Sequence, residues 1–505
     1  MRPAPRLART ALAAALIAAA GASQAAAPTQ DKVLAELKRL AERVEKLEKR
    51  NAELESRLAA SAEPALATTA ATPAPALAQR VEALEQANRD LAAGLASDRI
   101  SEREPELAIR LKAIEERTNS IGAPAKLATA LEGISVEGSV AAVAQHIDGD
   151  GRDSGRSESQ LSWRGDIGIT LPAGSVGRGE GEFFTQLRVG QGDSFTGLRP
   201  TFTGAYNSLA FQTAGGSEET YAIVAQAWYQ LTMPLGDDVE SPHSLQLTVG
   251  KMDPFVFFDQ NAIADNEAEK FLNNVFVHNP LLDSGGAVGA DSYGFTPGLR
   301  LAYRNESDSP DWWQASVAAF GAGEGARFGR SFTKPFVIGQ LEYGRKSFGF
   351  DSTYRLYAWR NGQYEGFDGS VESASGWGAS VDQRVHEDVT LFARYGQSTS
   401  DHTAFDRALT VGAEIAGNAW GRGADGVGVA WGWLRASDEF RDAAPTLDGY
   451  GFNARGAEQV GELYYRWYLN DQLSLTPDVQ YVRRAAANRD AKTITAFGLR
   501  ALYAF

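Results

Sequence analysis

The sequence lacks cysteine, has little methionine and histidine, and contains no long hydrophobic run beyond its N-terminus. Of 505 residues none is Cys, 3 are Met and 5 are His. Without Cys the chain forms no disulfide and performs no thiol chemistry. A membrane-spanning helix needs about 20 consecutive apolar residues, and the mean hydropathy is only -0.29. The sequence therefore excludes a bundle of membrane-spanning helices.

The residue types that carry chemistry are also sparse and poorly placed for it. The chain has 64 Asp and Glu against 49 Lys and Arg, a net charge of -15, which argues against a nucleic-acid partner. Ser244 and His243 are only neighbours in sequence, and no glycine-rich phosphate motif follows a strand. We therefore expect no catalysis, no metal site and no cofactor. The histidines are scattered without metal-ligand spacing: His146, His243, His278, His386 and His402.

The first 25 residues have the order of charges and apolar residues that is typical of a secretory signal peptide. Three arginines precede the apolar run ALAAALIAAAGA, and a small-x-small cleavage site follows at Ser23 to Ala25. This pattern predicts removal of residues 1–25 and export of the remaining chain.

The last ten residues alternate with a two-residue period. Phe497, Leu499, Ala501, Tyr503 and Phe505 occupy every second position, which places them on one face of a β-strand. A buried edge strand of a soluble protein would alternate in the same way. The ending also resembles the closing strand of bacterial outer-membrane barrels, so the remaining chain decides between the two.

Beyond about residue 134 the chain reads as a series of alternating strands. A soluble sandwich would not normally combine so many strands with one face so rich in Leu, Val, Tyr and Trp, and an even number suits a closed bacterial barrel. In 220–234 the alternation places Val224, Gln226 and Trp228 on one face. The sixteen predicted strands are 134–146, 158–171, 181–191, 220–234, 243–252, 297–305, 311–323, 334–344, 347–361, 375–386, 388–398, 406–418, 426–437, 456–468, 472–486 and 492–505.

The lengths of the connections favour a membrane barrel. Those after odd-numbered strands are often long, as in 192–219 and 253–296, whereas those after even-numbered strands are mostly short, as in 306–310 and 469–471. Long outer loops alternating with short periplasmic turns are typical of all-β transmembrane barrels. We therefore predict an antiparallel barrel over 134–505, in the bacterial outer membrane, with both chain ends in the periplasm.

The segment between the signal peptide and the barrel, residues 26–133, has heptad spacing. A polar residue at a core position costs stability but fixes register and oligomer number, and Asn51 is such a residue. An Ala- and Pro-rich linker follows at 59–79. The pattern predicts a periplasmic coiled-coil stalk that associates with copies of itself and contacts the cell wall; a single amphipathic helix lying on another surface is the alternative. The predicted oligomer seam is Leu37, Leu40, Val44, Leu47, Asn51 and Leu54.

Three stretches carry a resemblance to a known family. They are the loop-forming segment Val249 to Asp283, rich in Asp, Asn and Phe, the Gly432-Trp433 pair, and ELYYRWYLNDQLSLTPDVQYV at Glu462 to Val482. They resemble the signature of the carbohydrate-selective porins, the OprB-like family, over about residues 134–505. The resemblance implies a sixteen-stranded outer-membrane channel that passes monosaccharides such as glucose and similar small solutes by diffusion, with loops folded inward.

Such a channel needs planar hydrogen-bonding groups and aromatic faces on its wall. Arginine supplies fixed, planar donors, carboxylates accept sugar hydroxyl groups, and aromatic rings cover the C–H face of a sugar. The same charged groups would also simply pair with one another to line a water-filled lumen. The polar strand faces further include Asp166, Arg304, Asp351, Asp382 and Glu414, and the long loop adds Asp265 and Asn266. The predicted pore-lining residues are Arg164, Glu182, Arg188, Trp228, Asp253, Asp259, Asn261, Arg300, Arg355, Arg394, Glu462, Arg466 and Asp478.

Three functions remain open from the sequence. They are a porin for sugars, a general or ion-passing porin of the same fold, and an envelope tether in which the stalk matters and the pore is incidental. Near-balance of arginines and carboxylates on the inward face favours neutral solutes. The expected partners are outer-membrane lipid, small neutral solutes and further copies of the chain, with a trimer favoured although a dimeric stalk fits the same heptads.

Overall fold

The computed structural model describes residues 133–195, 197–210, 219–236, 241–283 and 288–505. The predicted signal peptide and, apart from Gly133, the predicted stalk with its seam from Leu37 to Leu54 lie outside the described residues. They stay predictions.

Within the described residues the chain forms a closed barrel. Each strand pairs antiparallel with the next, and β16 returns to pair with β1. The prediction of a closed barrel of sixteen antiparallel strands is confirmed. The strands are β1 Ser135–Ile147, β2 Glu158–Val176, β3 Gly179–Gln191, β4 Tyr221–Pro234, β5 His243–Met252, β6 Thr296–Asn305, β7 Trp312–Phe320, β8 Phe336–Ser347, β9 Phe350–Glu365, β10 Val371–His386, β11 Val389–Ser398, β12 Phe405–Ala416, β13 Gly426–Ala436, β14 Ala457–Tyr468, β15 Leu473–Arg483 and β16 Ile494–Ala504.

The chain terminus closes the seam between β16 and β1. Phe505 exchanges two backbone hydrogen bonds with Gly138, with N···O distances of 3.0 and 2.9 Å. Its ring lies directly over Gly138, where an added Cβ would come within 2.5 Å of the ring. Glycine at this position therefore lets the terminal aromatic ring pack flat against the first strand.

Alternation along the strands separates a lipid-facing surface from the lumen. Leu463, Val317 and Phe497 are exposed on the outside, whereas their chain neighbours point inward. Aromatic residues such as Trp313 and Tyr343 lie near the strand ends that carry the short connections. An apolar band bordered by aromatic side chains is the outer surface expected of a membrane barrel.

A β-bulge in β4 inverts one part of the predicted facing. Gln186 pairs with Gln226 and Leu187 with Val224, so Ala225 has no partner in β3. The extra residue shifts the two-residue alternation by one position. Val224 is therefore 49% exposed on the outside while Gln226 and Trp228 face inward, and the prediction that Val224 shares their face is wrong.

Two long connections, one after β3 and one after β5, fold into the lumen and form the hydrophobic core there. Residues 253–283, here called the inner loop, bring Phe258, Phe271 and Phe276 against strand aromatics such as Phe320 and Phe392. Helix α1, Asn274–Val277, belongs to this loop, and α2, Asp438–Ala443, lies in the β13–β14 connection. Within the described residues, neither helix has the length and apolar character that a membrane crossing requires.

Candidate functional site

One buried ion pair fixes the middle of the inner loop. Asp259 in the loop and Arg394 on β11 have no exposed side-chain surface, and Arg394 Nε lies 3.2 Å from Asp259 Oδ1. The carboxylate also accepts from Tyr357 OH at 2.7 Å and from the backbone N–H of Asn279 at 2.6 Å. The arginine donates further to the carbonyls of Phe276 and Asp259 at 2.9 and 2.8 Å. Both residues, predicted to line the pore, are covered by the loop that they hold.

A second anchor lies on β14 and β15. Glu462 accepts from the backbone N–H groups of Leu272 and Asn273 at 2.6 and 3.0 Å, and Asn273 donates to Gln480 at 3.0 Å. Gln480 also donates to Asp478 at 2.9 Å. Glu462 and Asp478 are 3% and 6% exposed. Both therefore support the inner loop in this conformation and lie beneath it.

Basic side chains hold the stretch of the inner loop between these anchors. Arg500 on β16 donates to the carbonyls of Glu267 and Glu269 at 2.9 Å each. Arg466 donates to Glu269 O at 3.4 Å, and Lys270 of the loop pairs with Glu414 on β12 at 2.6 Å. Sequence reasoning missed Arg500, although the alternation of the last strand already places it opposite Leu499.

A further contact of the inner loop on this side is made through β10. The Asn261 amide donates to Ser380 Oγ at 3.3 Å and to Val381 O at 3.1 Å. Arg355 on β9 lies 2.6 Å from Asp382 and 3.6 Å from Glu342. Through these contacts the inner loop covers the wall from β8 to β16, and the charged residues of that wall lie beneath it.

Residues 201–203 of the loop after β3 are anchored by one carboxylate. Glu458 has 0% exposure and accepts from Thr201 Oγ1 at 2.8 Å, Phe202 N at 2.7 Å, and both Thr203 N and Thr203 Oγ1 at 2.8 and 2.7 Å. It also accepts from Ala486 N at 2.7 Å. This residue was not predicted, because it is separated from Thr203 by 255 positions in the chain.

We expect Glu458→Ala to detach residues 201–203 from the wall while the barrel stays closed. Hydrogen bonds to a charged group contribute about 1.5 to 3 kcal/mol each, and the change removes the acceptor for all of them. Hydrogen exchange of the amides of Phe202 and Thr203 should rise at least about 100-fold. Glu439→Ala removes an exposed carboxylate and serves as the control; unchanged protection of these two amides in E458A would contradict the anchor.

The wall from β2 to β6, here called the open wall, contacts the inner loop at Asp253, Phe257 and Glu267, and its Arg164 and Arg188 are each 6% exposed. Asp166 pairs with Arg164 at 2.9 Å and with Arg188 at 2.7 Å, and Arg164 also reaches Glu267 at 2.7 Å. The Arg188 guanidinium lies 5.1 Å from the centroid of the Phe295 ring. Two predicted pore-lining arginines are thus brought together with their counter-charges.

A second group on the open wall joins Arg300 to aromatic rings. The Arg300 guanidinium lies 4.8 Å from the ring centroid of Phe257 and donates to Gln246 at 3.2 Å. Trp228 packs against Phe184 and Phe257 at centroid distances of 5.0 and 5.8 Å. Cations over aromatic faces are held in fixed orientation, so this wall holds oriented donors beside apolar groups, with Arg300 and Phe257 3% and 8% exposed.

The other predicted residues lie away from these groups. Glu182 is exposed near the end of β3 that carries a short connection. Arg304 pairs with Glu306 at 2.8 Å in the same zone. Asn266 is exposed and accepts from Ala268 N at 2.9 Å within the loop.

A cavity of about 280 Å³ is lined by the inner loop, by residues between Val288 and Gly294 and by Arg188 of the open wall. The His278 ring stacks on the Phe255 ring with a centroid distance of 3.7 Å, and its Nδ1 lies 3.3 Å from Asp265 Oδ1. The cavity is lined by charged side chains of both signs, and its charged lining is Arg188, Asp253, Asp265, Glu267, His278, Asp283 and Asp291.

The titratable groups that line the cavity have shifted pKa values. Burial raises the pKa of Asp253 and of Asp283 to about 6, against an ordinary 3.8. Burial alone would lower the pKa of His278, but the Asp265 carboxylate and the neighbouring charges raise it to about 9 from 6.5. Burial would likewise raise the pKa of Glu267, yet Arg164 and Arg188 lower it. At neutral pH His278 is therefore a cation among carboxylates.

We expect the cation selectivity of the channel to rise as pH increases from 5 to 7. Asp253 and Asp283 ionise as pH passes through about 6, which adds two negative charges to the cavity. Because their pKa values in the folded inner loop exceed the ordinary 3.8, this conformation of the inner loop also loses stability as the pH rises. Stabilisation by the His278 ion pair is complete below pH 6.5 and is lost as pH rises through about 9.

Reversal potentials in planar bilayers under a salt gradient measure this shift. The double variant Asp253→Asn with Asp283→Asn should flatten the pH dependence between 5 and 7, since neither amide titrates. Asp490→Asn, at an exposed position in the β15–β16 connection, is the control. A pH dependence that survives in the double variant would show that other groups titrate in the path.

Among the described residues no cluster of His, Asp and Glu side chains is arranged to hold a metal ion. The arrangement offers oriented hydrogen-bond donors, acceptors and aromatic faces around a hydrated space. It is suited to passing and orienting polar solutes.

Comparison with known proteins identifies related chains. The family model described as "Carbohydrate-selective porin, OprB family" matches residues 174–505. The chain is similar to Pseudomonas putida OprB in its high-pH structure, with 18% identity, 75% of this chain and 96% of that chain covered, and a TM-score of 0.60. This similarity supports the fold.

Two further solved structures are more distant. The low-pH structure of Pseudomonas putida OprB is 15% identical over 76% of this chain and 97% of that chain, with a TM-score of 0.44. The anion-selective porin from Comamonas acidovorans is 10% identical over 74% and 99%, with a TM-score of 0.46. No curated protein sequence matches the chain.

Proposed function

Because this chain belongs to the OprB family of carbohydrate-selective porins, we propose that it passes monosaccharides such as glucose along the open wall. The protein is a porin of the bacterial outer membrane, a passive channel for sugars and not an enzyme.

The positions of the inner-loop contacts support a route along the open wall. Its deep contacts run to Gln340 on β8, Arg394 on β11 and Glu462 on β14, which fills that side of the lumen with aromatic core. The cavity beside Arg188 lies on the opposite side. A solute crossing the barrel would therefore pass between the charged edge of the loop and β2 to β6.

The chemistry of the open wall supports a sugar as the solute. A pyranose ring presents hydroxyl groups around its edge and C–H bonds on its faces, so it is matched by fixed donors beside aromatic rings. Arg188 beside Phe295 and Arg300 beside Phe257 provide this combination twice. It is the observation that carries the proposal.

Pairing of the arginines on the open wall supports a neutral solute, although the adjoining cavity holds more carboxylates than cations. Arg164 and Arg188 are each paired with Asp166, and Arg164 also with Glu267. Paired charges leave a small net field, but their remaining N–H groups and lone pairs can still form hydrogen bonds with a solute. In this proposal Trp228, Asp253 and Glu182 also border the path.

The remaining predicted residues take a supporting role in the proposal. They hold the loop that narrows the channel. Substituting them would mainly change the width of the channel and not the groups that contact the solute. These residues are Asp259, Asn261, Arg355, Arg394, Glu462, Arg466 and Asp478.

Liposome swelling with the purified full-length protein tests the proposed solute. Glucose, a neutral disaccharide and an amino acid of similar size to glucose are compared at equal osmolarity. Fast entry of glucose with marked exclusion of the other two supports a sugar path. Entry ordered by size alone would indicate a general porin, and swelling absent for all three solutes would favour the tether.

We also propose that copies of the chain associate, with a trimer favoured, and that residues 26–133 form a periplasmic stalk. Heptad spacing with Asn51 at a core position supports the stalk. Deleting 26–133 and comparing cross-linked species, envelope integrity and sugar uptake tests both points. Unchanged oligomers and an intact envelope after the deletion would leave the stalk without either role.

A further inference from the structure

The connection between β7 and β8, residues 321–335, presents exposed apolar and cationic side chains together. Phe328 and Phe332 are 63% and 59% exposed, and Arg327, Arg330 and Lys334 are exposed beside them. With Glu324 the segment carries a net charge of about +2, although the whole chain carries -15. No described residue forms an ion pair with the side chains of these three cations.

The backbone of this β7–β8 loop is held in one shape. Gln363 on β9 donates to the carbonyls of Ala322 and Thr333 at 2.7 and 3.0 Å. Phe328, Arg330 and Lys334 have φ values of 64°, 57° and 52°. Non-glycine residues keep this left-handed conformation only where the surroundings determine it. The two aromatic rings are therefore presented to solvent by a fixed scaffold.

The β7–β8 loop follows a strand that is long enough to cross the membrane. Strand β7, Trp312–Phe320, has nine residues, about the length that a tilted strand needs to cross the hydrocarbon layer. Val337, two residues after the loop, is 44% exposed on the outside and pairs with Arg360 on β9. Arg360 is itself exposed and shares the outward face of Leu356.

Arg360 marks the depth of the headgroup layer. A cation on the lipid-facing side costs about 2 to 4 kcal/mol at the bilayer midplane but close to nothing near the interface. Arg360 therefore lies where headgroups begin. The three cations of the β7–β8 loop follow at the same end of the barrel, above Val337.

Cations at headgroup depth beside exposed aromatic rings match an anionic lipid. The guanidinium groups suit phosphate oxygens, and aromatic rings prefer the boundary between headgroups and acyl chains. We propose that Arg327, Arg330, Lys334 and Arg360 bind the phosphate groups of an anionic glycolipid of the outer leaflet. Phe328 and Phe332 then pack against the upper part of its acyl chains.

Binding of bisphosphorylated lipid A to the full-length protein in lipid nanodiscs tests the proposal. Each cation facing an anionic headgroup strengthens binding about fivefold, so Arg330→Gln with Lys334→Gln should weaken it about 25-fold. Arg455→Gln with Arg489→Gln removes two exposed cations from other outer connections and should change the affinity less than about twofold. Phe328→Ser with Phe332→Ser should weaken binding while leaving solute entry in liposome swelling unchanged.

Several results would overturn the proposal. Equal affinity of R330Q/K334Q and R455Q/R489Q would show that only overall charge matters. Equal binding of dephosphorylated lipid A would remove phosphate from the recognition. Displacement of lipid A by millimolar inorganic phosphate would show a site for free anions.

Discussion

Arg394→Met is expected to release the inner loop and turn the channel into a wider, less selective pore. Asp259 and Arg394 form an ion pair without exposed surface, and the arginine also holds two loop carbonyls. Removing one partner of a buried pair costs about 3 to 5 kcal/mol, because the other charge stays buried and unpaired. Single-channel conductance should rise severalfold, and discrimination between glucose and a disaccharide should fall.

The barrel itself should survive this change. Its wall is held by backbone pairing of all sixteen strands, to which the ion pair contributes nothing. Lys492→Met removes one partner of an exposed ion pair with Asp150 and should leave conductance unchanged, since such pairs contribute little. Wild-type conductance in R394M, in a protein that still migrates as a folded barrel, would show that other contacts suffice to hold the loop.

The strands could be predicted from sequence because their signal is local. A period of two residues, repeated between short and long connections, was enough to place β5 at 243–252, the same bounds that the structure has. The facing of side chains followed for most strands. It failed at Ala225, because a bulge depends on the partner strand and leaves no mark in the alternation itself.

The arrangement of the lumen could not be predicted in the same way. Alternation says that Arg394 and Arg188 both point inward, but it does not say which of them the inner loop covers. That depends on contacts over 135 positions for Asp259 with Arg394 and 255 for Thr203 with Glu458. The distinction between loop anchors and the open wall therefore required the structure.

The outer surface shows the same limit. The sequence identified the band of lipid-facing residues but gave no weight to Phe328, Arg330 or Phe332. They lie in the connection after β7, and Arg360 pairs with Val337 just after that connection, which is where we propose that the membrane boundary lies. Position relative to the bilayer, and not residue type, distinguishes them from ordinary loop residues.

Replacement of Arg188 or Arg300 by Gln should weaken the interaction of sugar with the channel at least about tenfold, if the open wall is the path. A hydrogen bond from a charged donor contributes about 1.5 to 3 kcal/mol, and about 1.4 kcal/mol corresponds to a factor of ten. Glutamine keeps a planar donor but loses the charge and the fork geometry. Glucose block of ion current, measured over a range of glucose concentrations, gives the half-saturation for each variant.

The same substitutions should shift ion selectivity, and this shift separates two roles of the arginines. Losing Arg188 leaves Asp166 paired with Arg164 alone, so the path becomes more negative and the reversal potential moves toward cations. Arg483→Gln removes an equal charge from an exposed position at the end of β15 and should change neither quantity. If R188Q and R300Q shifted the reversal potential but left the half-saturation for glucose unchanged, the arginines would act on ions only. A loss of glucose affinity in R188Q and R300Q, with R483Q unchanged, would place the sugar between the inner loop and the open wall.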